Sequence, residues 1–234
     1  MIPRATIGVL MLDTTFERFP GDIGHEATFD FPVMRRTVPA ATAARITALD
    51  DASYLEPFAE AGLALARDGA DAIATSCGFL ALYQRELAAR LPVPVATSSL
   101  LQGPMIERTL PKGRRVGVLT FSSRTLDARH LAAAGCAPDT PLAGLPEGGD
   151  FQRAILGELE SNGFDRRESE AVTTARSLTA NHPDVGAILL ECTNLVPHAQ
   201  AIARATRLPV FDVVTLLNWL EAGLRPRSFL RAHA

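Results

Sequence analysis

The sequence predicts an α/β fold built as two similar parallel-sheet lobes, related by an internal pseudo-twofold duplication, with an active site in the cleft between them. Three observations carry this. Short apolar runs alternate with longer helical patterns along the 234 residues, as β-α-β units require. Ile7-Gly8-Val9-Leu10 returns as Val116-Gly117-Val118-Leu119 at an offset of 109. Asp71-Ala72-Ile73-Ala74-Thr75-Ser76-Cys77 aligns with Gly186-Ala187-Ile188-Leu189-Leu190-Glu191-Cys192 at an offset of 115, and 17 residues after each cysteine stands the proline of a Pro-Val pair, Pro94 and Pro209. Pro92-Val93 is a rival match, two residues out of register.

In chain order, Thr6–Leu12 reads as a first buried strand. Thr15–Pro39 is rich in Phe, Pro, Gly and Asp, and reads as a long functional loop leaving the carboxyl end of that strand. Tyr54–Asp68 is helical by periodicity, Ala72–Thr75 a strand, Phe79–Arg90 a helix and Val93–Ala96 a strand entered through prolines. The second unit repeats the scheme: strand Arg115–Phe121, helices Ser123–Ala134, Asp150–Ser161 and Arg167–Asn181, strand Val185–Leu190, helix Leu195–Arg207 and strand Val210–Val214. The lobes divide as residues 1–105 and 106–214, with the joint near Gln102–Lys112.

The formal charge of -3 argues against a nucleic-acid partner, which calls for a basic stripe. No apolar run reaches the roughly 18 to 20 residues of a membrane helix, and the N-terminus lacks a convincing cleavage site, so a cytoplasmic protein with no membrane partner is expected. Three cysteines, Cys77, Cys136 and Cys192, are too few and too scattered for a disulfide framework or a Cys-x-x-Cys site. The five histidines are isolated, so no metal site is expected. The sole lysine, Lys112, stands before a strand at the sheet end opposite the cysteines, which disfavours a pyridoxal-phosphate Schiff base; no cofactor is expected.

Cys77 and Cys192 each follow a buried strand and precede a helix. That is the carboxyl edge of the sheet, where ligand crevices form, and a helix N-terminus, which stabilises an anion and lowers a thiol's pKa. Thr75, Ser76 and Gly78 around the first, with Thr193 and Asn194 after the second, are small groups able to cap a helix and bind a carboxylate. Cys136 has no counterpart in the first half and reads as structural. Asp13 either orients a thiol, binds a substrate amine or caps a turn. Arg18 is either a carboxylate clamp or a solvated surface charge, and His198 a solvated or packing residue. Strand alternation points Glu191 away from the cleft.

The pattern Thr75-Ser76-Cys77-Gly78 with Leu190-Glu191-Cys192-Thr193-Asn194, together with Val116-Gly117-Val118-Leu119-Thr120 and the Ser122-Ser123 turn, resembles the aspartate/glutamate/hydantoin racemase superfamily over nearly the whole chain. The sequence departs from that pattern in having Cys77-Gly78-Phe79 where many members have Cys-Asn-Thr, and Asn194 after the Cys-Thr dipeptide. The resemblance implies a cofactor-independent isomerase: a racemase or epimerase of an amino acid or related small carboxylate, in which one cysteine removes the α-proton and the other returns one. It also implies carboxylate-binding donors from Ser76, Ser122, Ser123 and Thr193, and a C-terminal segment, Thr215–Ala234, packed back on the first lobe. A homodimer is consistent with it. An arylmalonate-type decarboxylase and a maleate-type cis–trans isomerase are alternatives within the family, and a small-carboxylate-binding or sensor protein that keeps the lobes without catalysis is a remoter one.

Overall fold

The computed structural model describes residues 4–48, 53–159 and 163–226. In chain order the elements are β1 (Ile7–Met11), β2 (Val33–Thr37), α1 (Ala43–Thr47), α2 (Leu55–Arg67), β3 (Ala72–Thr75), α3 (Gln84–Arg90), β4 (Val95–Ala96), α4 (Gly103–Thr109), β5 (Arg115–Thr120), α5 (Ala128–Ala133), β6 (Leu142–Gly144), α6 (Asp150–Ile155), α7 (Phe164–Asn181), β7 (Val185–Leu190), α8 (Ala199–Thr206), β8 (Val210–Phe211) and α9 (Val213–Leu224). Short 3-10 helices, Gly78–Tyr83 and Thr193–His198, run into α3 and α8.

The strands form two parallel sheets of the same order, β2-β1-β3-β4 and β6-β5-β7-β8, so the predicted duplication is present in the topology. It extends to single hydrogen bonds. The Ile73 N–H donates to the Pro94 carbonyl at 2.8 Å and the Ile188 N–H to the Pro209 carbonyl at 2.9 Å. Ile73 lies opposite Val95 and Ile188 opposite Val210. Pro94, not Pro92, is therefore the partner of Pro209 in the repeat.

Both central strands of each sheet are almost wholly buried, which is why they read as continuous apolar runs. Two edge strands escape that pattern. β2 lies within the Thr15–Pro39 loop and reads Val-Met-Arg-Arg-Thr; it pairs on one side only and leaves three of five residues exposed. β6 has three residues. The expected strand Val210–Val214 ends at Phe211, because Asp212 caps a helix: its carboxylate accepts the Thr215 N–H at 2.9 Å while Thr215 Oγ1 accepts the Asp212 N–H at 2.9 Å. The Ser123–Ala134 pattern is helical only from Ala128, where Asp127 provides the cap.

The lobes share one continuous core that includes Leu10, Ile73 and Phe79 from the first and Val118, Leu189 and Leu195 from the second. A second cluster covers the other face of the first sheet, where Val213, Leu216 and Leu217 of α9 pack on Ile7, Val9 and Ala74. Ion pairs Arg4–Glu221 at 3.0 Å and Arg225–Asp71 at 2.7 Å flank that helix. The end of the C-terminal segment with His233, and the end of the Asp150–Ser161 pattern, lie outside the described residues. Among the described residues no helix is long and apolar enough to cross a membrane.

Candidate active site

β3 and β7 end one residue short of Ser76 and Glu191, and Cys77 and Cys192 then stand at the N-caps of the two 3-10 helices. The carbonyl of each accepts the first turn's hydrogen bond, Leu80 N–H to Cys77 at 3.2 Å and Leu195 N–H to Cys192 at 3.0 Å. The repeat thus delivers both thiols to one place. They face a cavity of about 30 Å³ between the lobes, roughly one water's worth of space. Its wall is largely apolar, with Phe16, Phe79, Phe121 and Ile155 contributing. It adjoins a wider vestibule of about 300 Å³ along Thr14, Phe16, Ala43 and Ile155.

A hydrogen-bond network crosses the lobes here. Thr193 Oγ1 donates to the Ser76 carbonyl at 2.8 Å, and the Leu12 N–H donates to Ser76 Oγ at 2.9 Å. The Cys192 thiol donates to Asn194 Oδ1 at 3.6 Å, and Asn194 Nδ2 donates to Asp22. Asp22 is buried and pairs with Arg18 at 2.8 Å; Arg18 also donates to Thr14 and lies 4.4 Å over the Phe16 ring. The long loop after β1 is pinned across the cleft. Phe19 packs edge-on against Phe164 at 5.0 Å and under Arg167 at 4.6 Å, and Gly21, at φ 102°, a conformation that disfavours a side chain, lies against the Pro197 backbone, 3.2 Å from where a Cβ would stand.

The electrostatics differ from the sequence expectation. Burial pushes both thiols above their ordinary range, and the neighbouring Glu191 carboxyl pushes them further. The backbone N–H groups of Phe79 and Asn194 act in the opposite sense and are outweighed. A thiol-acidifying helix start was expected; dry surroundings and a buried acid reverse it. The two thiols are neighbours of each other and of Glu191; Cys192 is also within reach of Asp22 and is the more deeply buried of the two. Glu191 itself is raised to about 7 by burial, against the Thr120 hydroxyl and Phe121 N–H, which favour its charged form.

Of the residues singled out in the sequence, Ser76, Cys77, Gly78, Cys192, Thr193 and Asn194 line the cavity. Asp13 does not: it is exposed, lines the vestibule, and its carboxylate accepts the Ala40 N–H at 3.1 Å, the turn-capping alternative. Ser122 is turned away to Glu147 at 2.8 Å, and Ser123 is exposed beside Gly144. Both follow β5, but their contacts are with Glu147 and with Gly144 of β6 rather than with the cavity. Arg18 is a cavity residue and not a solvated charge. His198 is a packing residue: it is buried against Phe164 and Phe151 and held down to about 4 by burial and Arg167. Cys136 lies elsewhere, its thiol donating to the Leu100 carbonyl at 3.4 Å. Glu191 lines the cavity, because β7 stops at Leu190 and strand alternation no longer applies one residue later. Phe16, Phe79 and Phe121 carried no polar signal that a sequence reading could use.

The Asp/Glu/hydantoin racemase family model matches residues 33–220. The chain belongs to the Asp/Glu/hydantoin racemase family. Within fold space this family member is similar to the allantoin racemase from Klebsiella pneumoniae, with a TM-score of 0.64 and 18% identity over 94% of this chain and 87% of that one. By sequence it is 28% identical to a dimethylsulfoniopropionate lyase from Durusdinium sp. clade D, over 95% of this chain and 76% of the relative. It is 30% identical to dimethylsulfoniopropionate lyase 6 of Emiliania huxleyi, over 94% of this chain but 60% of the relative, so it spans well under the full length of that protein. These relatives are named as lyases. They overturn the expectation of an isomerase that racemises or epimerises an amino acid, and they match none of the alternatives weighed with it. The physical reason is plain: proton removal beside a carboxylate is common to racemisation and elimination, and the two-cysteine pattern says nothing of the leaving group.

Proposed function

We propose that this protein is a lyase that eliminates a dialkyl sulfide from a 3-sulfoniopropionate, dimethylsulfoniopropionate being the substrate to test first. The observation that carries the reading is the pair of thiols, Cys192 buried and Cys77 half-buried, facing one small apolar cavity; the named relatives supply the leaving group. Elimination needs one base. Cys77, less deeply buried than Cys192 and not engaged by Asn194 as Cys192 is, takes that part as thiolate. It removes a proton from C2, the C2–H electron pair becomes the C2–C3 double bond, and the C3–S pair departs with sulfur as neutral dimethyl sulfide. Acrylate remains, and the Cys77 proton is returned to solvent.

The substrate carboxylate has donors in the same cavity: the Arg18 guanidinium and the Ser76 hydroxyl, whose hydrogen is not committed to a partner by the Leu12 contact. Charge building on that carboxylate as C2 loses its proton is stabilised there. Cys192 stays a thiol, held by Asn194, and avoids a second thiolate in the cavity. Admission of a propionate-sized molecule needs the wall shared with the vestibule, chiefly Phe16 and Ile155, to part.

The test is direct. The purified protein is incubated with dimethylsulfoniopropionate; headspace chromatography should find dimethyl sulfide, and NMR should find acrylate in equal amount. A folded protein that forms neither above the buffer blank would remove the proposal. The pH profile carries a sign. Because both thiols are raised, thiolate is scarce at neutral pH, so log kcat/KM is expected to climb with pH from 6 towards 9 with a slope approaching one. A plateau below pH 7 would contradict a thiolate base.

A further inference from the structure

Every other strongly buried acid for which the structure gives a partner is satisfied. Glu221 is paired with Arg4, Asp22 with Arg18 and Asn194, and Asp212 caps α9. Glu191 is not. It is 1% exposed, Thr120 Oγ1 donates to Oε2 at 2.7 Å, and Oε1 has no hydrogen-bond partner at all. Among the described residues it makes no ion pair. A bare carboxylate oxygen in such surroundings costs several kcal/mol against water unless something compensates it. The chain builds space for it deliberately. A Cβ on Gly78 would lie 2.3 Å from Oε1, so the residue after Cys77 has to be glycine for the carboxyl to sit where it does. The wall that results holds a buried acid with one oxygen unpartnered, and Phe79 and Phe121 line the same cavity.

A buried acid with an unpartnered oxygen, in a cavity wall shared with aromatic side chains, is an arrangement suited to an organic cation. We infer that Glu191 is the specificity residue for the positive charge of the substrate: it pairs with the onium centre while Arg18 holds the carboxylate, so the cavity selects zwitterionic onium acids over their uncharged isosteres. The inference rests on the lyase reading above and extends it to what the site recognises. It also connects to the chemistry. The ligand's positive charge offsets the repulsion between Glu191 and the Cys77 thiol, so the molecule that pairs with the carboxyl also eases ionisation of the base. The titratable and charged groups near Glu191 are the thiols Cys77 and Cys192 on the two strand ends, with Arg18 and its partner Asp22 on the loop after β1.

The experiment separates charge from shape with two non-reactive probes. 3-(Trimethylammonio)propanoate and 4,4-dimethylpentanoate are isosteres that differ by the charge of one atom. Calorimetric binding to the wild-type protein should favour the ammonium acid by at least about tenfold, near 1.4 kcal/mol. Glu191→Gln should bring that ratio close to one while still binding the neutral acid. Equal binding of the two acids by the wild type, or a preference that survives in Glu191→Gln, overturns the inference. Should the glutamine variant bind neither probe, the wild type decides. With Glu191 at about 7, pairing with a cation drives its proton off, so at pH 7 the ammonium acid should release about half a proton more than the neutral one, read from two buffers of different ionisation enthalpy. Equal proton counts overturn the inference. If the wild type binds neither acid the inference also falls, and the dimethyl sulfide assay alone then decides whether the lyase reading falls with it.

Discussion

Cys77→Ala is expected to lower kcat/KM for sulfide release by about 10³-fold or more, because it removes the only group assigned to take the C2 proton. Cys192→Ala is expected to fall less, by roughly 10- to 100-fold, through loss of packing and of the Asn194 contact rather than loss of the base. The asymmetry is the informative part. Inverting a stereocentre needs an acid and a base on opposite faces, whereas elimination needs a single base and yields products without a stereocentre. Serine at either position preserves shape but not acidity, so Cys77→Ser should be as inactive as the alanine variant, with thermal unfolding close to wild type. Steady-state sulfide release and circular dichroism on the four variants check this. The reverse order would move the base to Cys192. Both alanine variants within tenfold of wild type would end the thiol mechanism.

Gly78→Ala should be nearly as damaging, although it adds one methyl group to a residue with no reactive atom. The added carbon would meet Glu191 Oε1 at 2.3 Å and the Glu191 carbonyl oxygen at 2.5 Å. A carboxylate at the end of a side chain can swing aside. A backbone carbonyl at the end of β7 cannot move without carrying Cys192 along. Overpacking of this kind costs about 1–3 kcal/mol of stability, and a shift of about 1 Å at a reacting group costs on the order of 10²-fold in rate. Urea unfolding and kcat/KM on Gly78→Ala, with Gly78→Ala/Glu191→Ala beside it, divide the two clashes. The double variant should recover stability only in part, because the carbonyl contact remains. A single variant within twofold of wild type in both measurements would show that the thiols are not held by this contact.

The fold was legible because its evidence is local or periodic. The buried central strands have to be apolar throughout, and the repeat of Cys-helix-Pro-Val survives in the sequence because the same hydrogen bonds, Ile73 to Pro94 and Ile188 to Pro209, require it twice. The edge strands β2 and β6 were invisible for local reasons: Arg35, Arg36 and Thr37 of β2 meet water, and β6, half-buried and three residues long, is too short to show a pattern. The strand expected over Val210–Val214 stops at Phe211: Val213 and Val214 suit a strand by propensity, and the Asp212–Thr215 capping box overrides that preference.

The site divides in the same way. That Cys77 and Cys192 would meet, with Ser76, Gly78, Thr193 and Asn194 about them, follows from their equivalent positions at the carboxyl ends of strands in a duplicated chain. Contact alone could decide the rest. Ser122 and Ser123 belong to the right strand end and still face away, held by Glu147 and crowded by Gly144. Arg18 enters the cavity only because its loop is anchored across the cleft through Phe19, Asp22 and Gly21. The ionisation of Cys77 is set by dryness and by Glu191, which stands more than 100 positions away in the chain; for Cys192, whose chain neighbour is Glu191, it is the dryness that packing of the lobes supplies. Chain direction and strand period, both written in the amino-acid order, settle which side chains the strands carry to the cleft. Their charge state and the partnerless acid oxygen beside them come from folding, since burial and electric field are sums over neighbours from both lobes.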